Sequence, residues 1–177
     1  MLKEPHLDLS TEKTTSLLFN PQTYNPSHLD ERSRDIMLKT IAFFEQKGKR
    51  QLKEDDRHYV WYSDFLDFLA QEKVFATLLT PADYSETDGR WDTRRNCDFN
   101  EIISFYGLHY WYTWQVTILG LGPIWMGGNE EVKRKTAQLL QQGHIFAFGL
   151  SEREHGADIY ATDMILTPQG DGTYLAN

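Results

Sequence analysis

A single cysteine, Cys97, stands among the 177 residues. No internal disulfide can form, so a secreted scaffold stapled by cystines is excluded and a reducing compartment, the cytoplasm or an organelle matrix, fits. A secretory leader is also missing, because Met1-Leu2-Lys3-Glu4-Pro5-His6 opens no apolar core and Asp, Ser, Thr, Glu and Lys follow. Long hydrophobic runs are absent too. The most apolar stretch, 110–126, is interrupted by Thr113, Gln115, Thr117, Gly120, Gly122 and Pro123. It falls short of the roughly 20 apolar residues of a membrane span and reads as a buried helix. Basic charge is scarce: 18 Lys and Arg face 26 Asp and Glu, a net charge of -8 with a pI near 5.2. Nucleic-acid binders neutralise phosphates with clustered Lys and Arg, so this balance argues against that class. The densest basic group, Lys47, Lys49, Arg50 and Lys53, runs straight into Glu54, Asp55 and Asp56, as a solvated mixed-charge helix end does. Neither an internal repeat nor a low-complexity tract is present.

What is there is enough for a packed domain, since 40% of the residues are hydrophobic and 14% aromatic. Helical signals dominate up to Gly143. Ser27 with Asp30 resembles a capping box, followed by Ile36, Met37, Ile41 and Phe44 at helical spacing, and Gly48 is expected to end that run. Ser63 or Asp64 caps a second helix through Phe65, Leu66, Phe68 and Leu69, which ends before Pro81. A third is predicted from Asp98 or Asn100 through Ile102, Phe105, Tyr106, Tyr110, Trp114 and Ile118, broken by 120–123. Asn129 caps a fourth, with Glu130 and Glu131 at the positive end of the helix dipole and closure at Gly143. Beyond it the pattern turns to short β-type runs: strands are predicted over 145–150 and 160–167, a turn over 168–172, and a third strand beginning at Thr173. Because a sheet of so few strands leaves open edges, a domain boundary is expected at 143/144, with a β-domain that is cut short at 177.

The segment Ser151-Glu152-Arg153-Glu154-His155-Gly156-Ala157-Asp158 follows an apolar run and combines a hydroxyl, small residues and charge, as a ligand-presenting loop or a solvated turn does. It resembles the Thr-Glu-Pro-x-x-Gly-Ser-Asp pattern of acyl-CoA dehydrogenases, with the same spacing. Two further segments resemble that family in the same order. Thr80-Pro81-Ala82-Asp83-Tyr84 is similar to its Pro-x-Glu-Tyr-Gly-Gly, and Gly128-Asn129-Glu130-Glu131-Val132-Lys133 to its Gly-Ser-Glu-Glu-Gln-Lys. Arg153 replaces the proline, Ala157 the serine, and Ser85 a glycine.

The resemblance implies a mainly α fold: a helical N-terminal domain over 1–143, then the start of an antiparallel, flavin-binding β-domain over 144–177, without the C-terminal four-helix bundle. It implies FAD as cofactor, held by Phe148, Leu150, Ser151, Gly156 and Ala157, with the backbone approaching closely at Gly156. It implies an acyl-CoA substrate bordered by Trp111, Tyr112, Gln115 and Leu119, and these bulky side chains point to a short or unusually shaped acyl group. The family's reaction is α,β-desaturation, in which a carboxylate takes the α-proton and the β-hydrogen leaves as hydride to the flavin. That base lies in the family's C-terminal bundle, so no catalytic residue is assigned in this chain, and residues 1–177 alone are expected to be inactive. Electron-transfer flavoprotein is the implied acceptor, or oxygen in a related acyl-CoA oxidase, and a homo-oligomer is implied for the complete protein. A non-catalytic helical interaction module is the rival of another class.

Other residues read more plainly. His144 and His155 lack the close spacing of zinc ligands, Cys97 reads as an inert thiol, and Asp88, Asp92 and Asp98 as a solvated loop, so no metal is expected. The cluster Tyr110, Trp111, Tyr112 and Trp114 is typical of bundle core.

Overall fold

Asp30 starts the first helix. Its carboxylate accepts the Ser33 N–H at 2.9 Å and the Ser33 hydroxyl at 2.8 Å, satisfying one of the donors that a helix start leaves unpaired. The computed structural model, which describes residues 18–86 and 88–177, continues from there as α1, Glu31–Arg57. Ser27 lies outside this helix, so Asp30 alone is the cap. Gly48 breaks the helical path, with φ 75° and ψ 152°, but does not end it: a second helical stretch resumes and runs to Arg57.

Tyr59 follows in the left-handed region at φ 52°, with the Val60 N–H donating back to the Asp55 carbonyl at 2.9 Å. Glycine is the usual residue at this kind of helix end, because a Cβ crowds the carbonyl there. The Tyr59 side chain is 95% exposed and contributes little packing. We expect Tyr59→Gly to raise the unfolding free energy by about 0.5–1 kcal/mol, read as a higher urea midpoint at unchanged slope. An unchanged or lower midpoint would mean that the ring has a partner in solution.

The expected second helix is divided into α2, Ser63–Gln71, and α3, Val74–Leu79, because Lys73 adopts φ 53° between them. All six residues of α3 are buried. The third helix also departs from expectation. α4, Thr93–Tyr106, begins earlier, with the Asp92 carboxylate accepting the Arg94 and Arg95 N–H groups, and it ends at Gly107. α5, Leu108–Met126, then runs through Gly120, Gly122 and Pro123. Proline lacks an N–H and its ring crowds the carbonyl four residues back, but near a C-terminus this weakens a single turn, and the buried Leu121 and half-buried Trp125 pack on the core there. α6, Glu130–Gln141, is capped by Asn129 as expected, the side chain accepting the Val132 N–H at 3.1 Å.

α4 packs against α1 and α5, and an aromatic knot fills the space between them. The Phe44 ring stacks on Tyr106 at 4.5 Å and meets Phe65 at 5.3 Å and Tyr110 at 4.9 Å. Such offset and edge contacts each add about 0.5–1.5 kcal/mol beyond burial. No helix among the described residues is long and apolar enough to cross a membrane.

After α6 the β-type texture yields less sheet than expected. Residues 145–150 carry no regular secondary structure and belong to no strand among the described residues. The stretch 160–167 contributes only β1, Leu166–Pro168, preceded by a single 3-10 turn at Ile159–Ala161. β1 pairs antiparallel with β2, Tyr174–Ala176, in the register Leu166 to Ala176, and the chain turns over 169–173, one residue later than expected because Pro168 belongs to β1. A ladder needs a partner strand, which an isolated apolar run cannot supply.

Candidate functional site

The stretch 145–150 is laid against α5 by two contacts. The Thr117 hydroxyl donates to the Phe146 carbonyl at 3.3 Å and accepts the Phe146 N–H at 3.4 Å, closing both backbone valences of that residue. Three residues on, Gly120 lets the chain come close: a Cβ there would stand 2.5 Å from the Ala147 carbonyl oxygen. Glycine inside a helix costs about 1 kcal/mol relative to alanine, so this close approach gives Gly120 its reason. The result is a segment held at 146–147 whose residues 147–151 are exposed.

Glu152 then shapes the loop. Its carboxylate accepts the Asp163 and Met164 N–H groups, both at 2.8 Å, and the Thr162 hydroxyl at 3.2 Å, while its own N–H donates to the His155 carbonyl at 2.8 Å. The bonds from those two amides hold the Glu152 carboxyl below the usual range. His155 Nδ1 lies 2.8 Å from Asp158, which also accepts the Gly156 N–H at 2.8 Å. Ligand atoms of Glu152, His155 and Asp163 lie within 4.8 Å of one another. The Glu152 oxygens are already engaged with the backbone, so the cluster serves as a clasp between the two ends of the loop.

Of the residues expected to hold a flavin, Phe148, Leu150, Ser151, Gly156 and Ala157 are all exposed. Ser151 is exposed and follows a run without regular secondary structure rather than the end of a strand. An added Cβ at Gly149 or Gly156 would meet nothing within 4 Å. These positions offer one open, partly apolar edge with a hydroxyl beside it, which fits a flat ring on one side only. On α5, Tyr112 and Leu119 are exposed, Gln115 half-buried beside them on the outer face, and Trp111 packed partly against the core. Leu119 adjoins Gly120, so the stretch expected to border an acyl chain and the Phe148 segment meet at the same end of α5.

The other two motif segments also meet. The Tyr84 hydroxyl donates to Glu130 at 2.8 Å, its ring stacks on Trp125 at 5.7 Å, and Lys133 lies 5.6 Å from its centroid. Beside them runs a cleft of about 420 Å³ between Asp83–Glu86 and the α6 residues Arg134, Gln138 and Gln141. Sequence reasoning missed Thr117 and Glu152 as organisers. A threonine within a nearly uncharged apolar helix, and a lone acid opening a glycine-containing loop, are the signals that point to them. No protein-family model matches the chain, and no curated protein or solved structure matches it either.

Proposed function

We propose that this chain forms one wall of an FAD site in an acyl-CoA dehydrogenase-like flavoenzyme that desaturates acyl-CoA thioesters. The observation that carries the reading is the 145–158 segment, tied to α5 by Thr117 and Gly120 and clasped by Glu152, with Phe148, Leu150, Ser151 and Gly156 left open. The contact of Tyr84 with Glu130 and Lys133 supports it as well, since two further family-like segments lie together.

Phe148, Leu150, Ser151, Gly156 and Ala157 are the residues that would hold FAD, which supplies hydride acceptance when bound. On this reading Trp111, Tyr112, Gln115 and Leu119 border the acyl chain, and the general base comes from outside these residues. Electrons pass to electron-transfer flavoprotein, or to oxygen if the enzyme is an oxidase. Oxygen uptake on addition of acyl-CoA separates those two.

The test is the visible absorbance of the protein purified from its own cells, with the cofactor released by denaturation and identified. Stoichiometric FAD, bleached anaerobically by an acyl-CoA, is expected. A colourless protein that releases no flavin and takes up none would overturn the reading. It would favour the rival, a non-catalytic interaction module, for which the uncharged outer face of α5 is the supporting observation.

A further inference from the structure

Where α1 ends and α5 begins, the chain forms a small aromatic hollow of about 200 Å³. Tyr59, Trp61, Tyr62 and His109 line it together with Asp55 and Asp56. The Trp61 and Tyr62 rings stack at 4.3 Å, and Tyr62 lies 5.9 Å from the His109 ring. Among the described residues little covers the outer two rings, since Tyr59 is 95% and Trp61 62% exposed. The backbone is strained to hold one of them: Tyr59 keeps φ 52° where glycine is the usual residue. Strain of this kind persists at ligand sites, where the displaced side chain has work that the fold alone does not give it.

Charge decides what the hollow takes. Of the three acids that precede Arg57, Glu54 pairs with Arg57 at 3.2 Å and Asp55 with Lys47 at 2.8 Å, whereas Asp56 has no ion-pair partner among the described residues. Lys49 and Lys53 share a neighbouring groove with Asp56, but neither pairs with it. Lys47 is engaged twice, because Asp64 holds it at 2.7 Å as well. His109 brings no positive charge at neutral pH, since burial lowers its pKa against the pull of Asp56. The hollow therefore combines aromatic faces with one unpaired carboxylate.

We infer that this hollow binds the head of a small methylated ammonium compound, its charge against the aromatic rings and Asp56 as counter-ion. A quaternary nitrogen has no N–H to satisfy and spreads its charge over methyl groups, so rings and one carboxylate suffice. A primary ammonium is compact and strongly hydrated, and loses more water than one free carboxylate replaces. The volume lies below the roughly 300–1,000 Å³ of sites for drug-sized ligands, which limits the occupant to such a head with a short tail. None of these residues is among those assigned to the flavin or the acyl chain, so the site stands whether or not the flavin reading holds.

Proton NMR titration of the full chain with choline chloride tests it. The N-methyl signal should move upfield by ring current, and the Trp61 indole N–H should shift with a dissociation constant of about 1 mM. Ethanolamine, and the uncharged analogue in which a tert-butyl group replaces the trimethylammonium, should each bind about fivefold or more weakly. Asp56→Asn and Trp61→Ala should each weaken choline by about fivefold or more while the helical circular dichroism stays unchanged. Tyr59→Gly is the sharpest variant: binding should fall while the urea midpoint rises, a pairing that loss of structure cannot produce. No choline binding up to about 50 mM, equal binding of the uncharged analogue, or an affinity unmoved by both Asp56→Asn and Trp61→Ala overturns the proposal. Co-sedimentation with phosphatidylcholine vesicles would overturn it as well, by making the hollow a membrane contact rather than a site for a free compound.

Discussion

Arg95→Ala should lower the unfolding free energy by about 3–4 kcal/mol, a large part of the roughly 5–15 kcal/mol typical of a domain. Arg95 is 0% exposed, and its guanidinium is held by a hydroxyl and two carbonyls. It donates to the Ser33 hydroxyl at 3.1 Å and to the carbonyls of Thr77 and Arg90. Burial, aided by the neighbouring Arg90 charge, pushes its pKa down to about 10.

That position joins three elements. Ser33 donates its own hydroxyl proton to Asp30, the cap of α1, and Arg90 bridges Asp30 at 2.6 Å and Asp92, the cap of α4, at 3.3 Å. Truncation takes a donor from the buried Ser33 hydroxyl and from the part-buried Arg90 carbonyl, while the Thr77 carbonyl keeps the Arg90 N–H, at about 1–3 kcal/mol for each group left unpaired. It also opens a cavity. Relief from burying an uncompensated charge offsets part of this, which holds the net below the sum.

Arg95→Met separates the cavity from the lost hydrogen bonds, because it restores most of the volume and none of the donors. Its cost should be roughly 2 kcal/mol, between wild type and alanine. Urea unfolding followed at the helical band gives both values. If Arg95→Ala comes within about 1 kcal/mol of wild type, the guanidinium is not the tie described.

The same arginine explains why α4 was legible only in part. Periodicity picks out Ile102 and Phe105, but the first turn carries Thr93, Arg94 and Arg95, and a buried charge breaks the apolar pattern that marks an inward face. α6 is legible throughout because its signals are local: an Asn cap, two acids behind it and a glycine after it. Gly48 marks a break but not an end, since what resumes the helix is packing of the buried Leu52, which no local signal announces. For 145–150 the apolar run is visible, but its fate depends on Thr117 and Gly120, 29 and 27 residues earlier in chain order than Phe146 and Ala147. A hydroxyl that closes both valences of Phe146 does there what a neighbouring strand does in a ladder. Candidate residues were therefore named by the sequence more readily than their relation to one another, which is a property of long-range contacts.

Gly143→Ala should be nearly as costly as the arginine change, for a different reason. Gly143 sits at φ 86°, just after α6, with its N–H donated to Leu140 and the His144 N–H donated back to Leu139, both at 3.0 Å. A side chain in this left-handed region costs about 1 kcal/mol by itself. Contact with α2 weighs more: a Cβ on residue 143 would lie 2.3 Å from the Ala70 Cβ and 2.9 Å from its Cα. Neither atom belongs to a flexible side chain, so α2 or the turn has to move, and overpacking of this kind adds about 1–3 kcal/mol. The total is about 2–4 kcal/mol.

Ala70→Gly identifies the clash, because removing that Cβ should cost about 1 kcal/mol in an otherwise normal chain and recover stability when combined with Gly143→Ala. Gly143→Asn tolerates the left-handed conformation but keeps the overlap, so it should stay close to alanine. Gly143 also directs the chain onto α5, so the Phe146 amide, held by Thr117, should exchange with solvent faster in Gly143→Ala than in other variants of equal stability. Full additivity of the Ala70 and Gly143 changes, together with unchanged exchange at Phe146, would mean that the turn neither packs on α2 nor sets the path of the site segment.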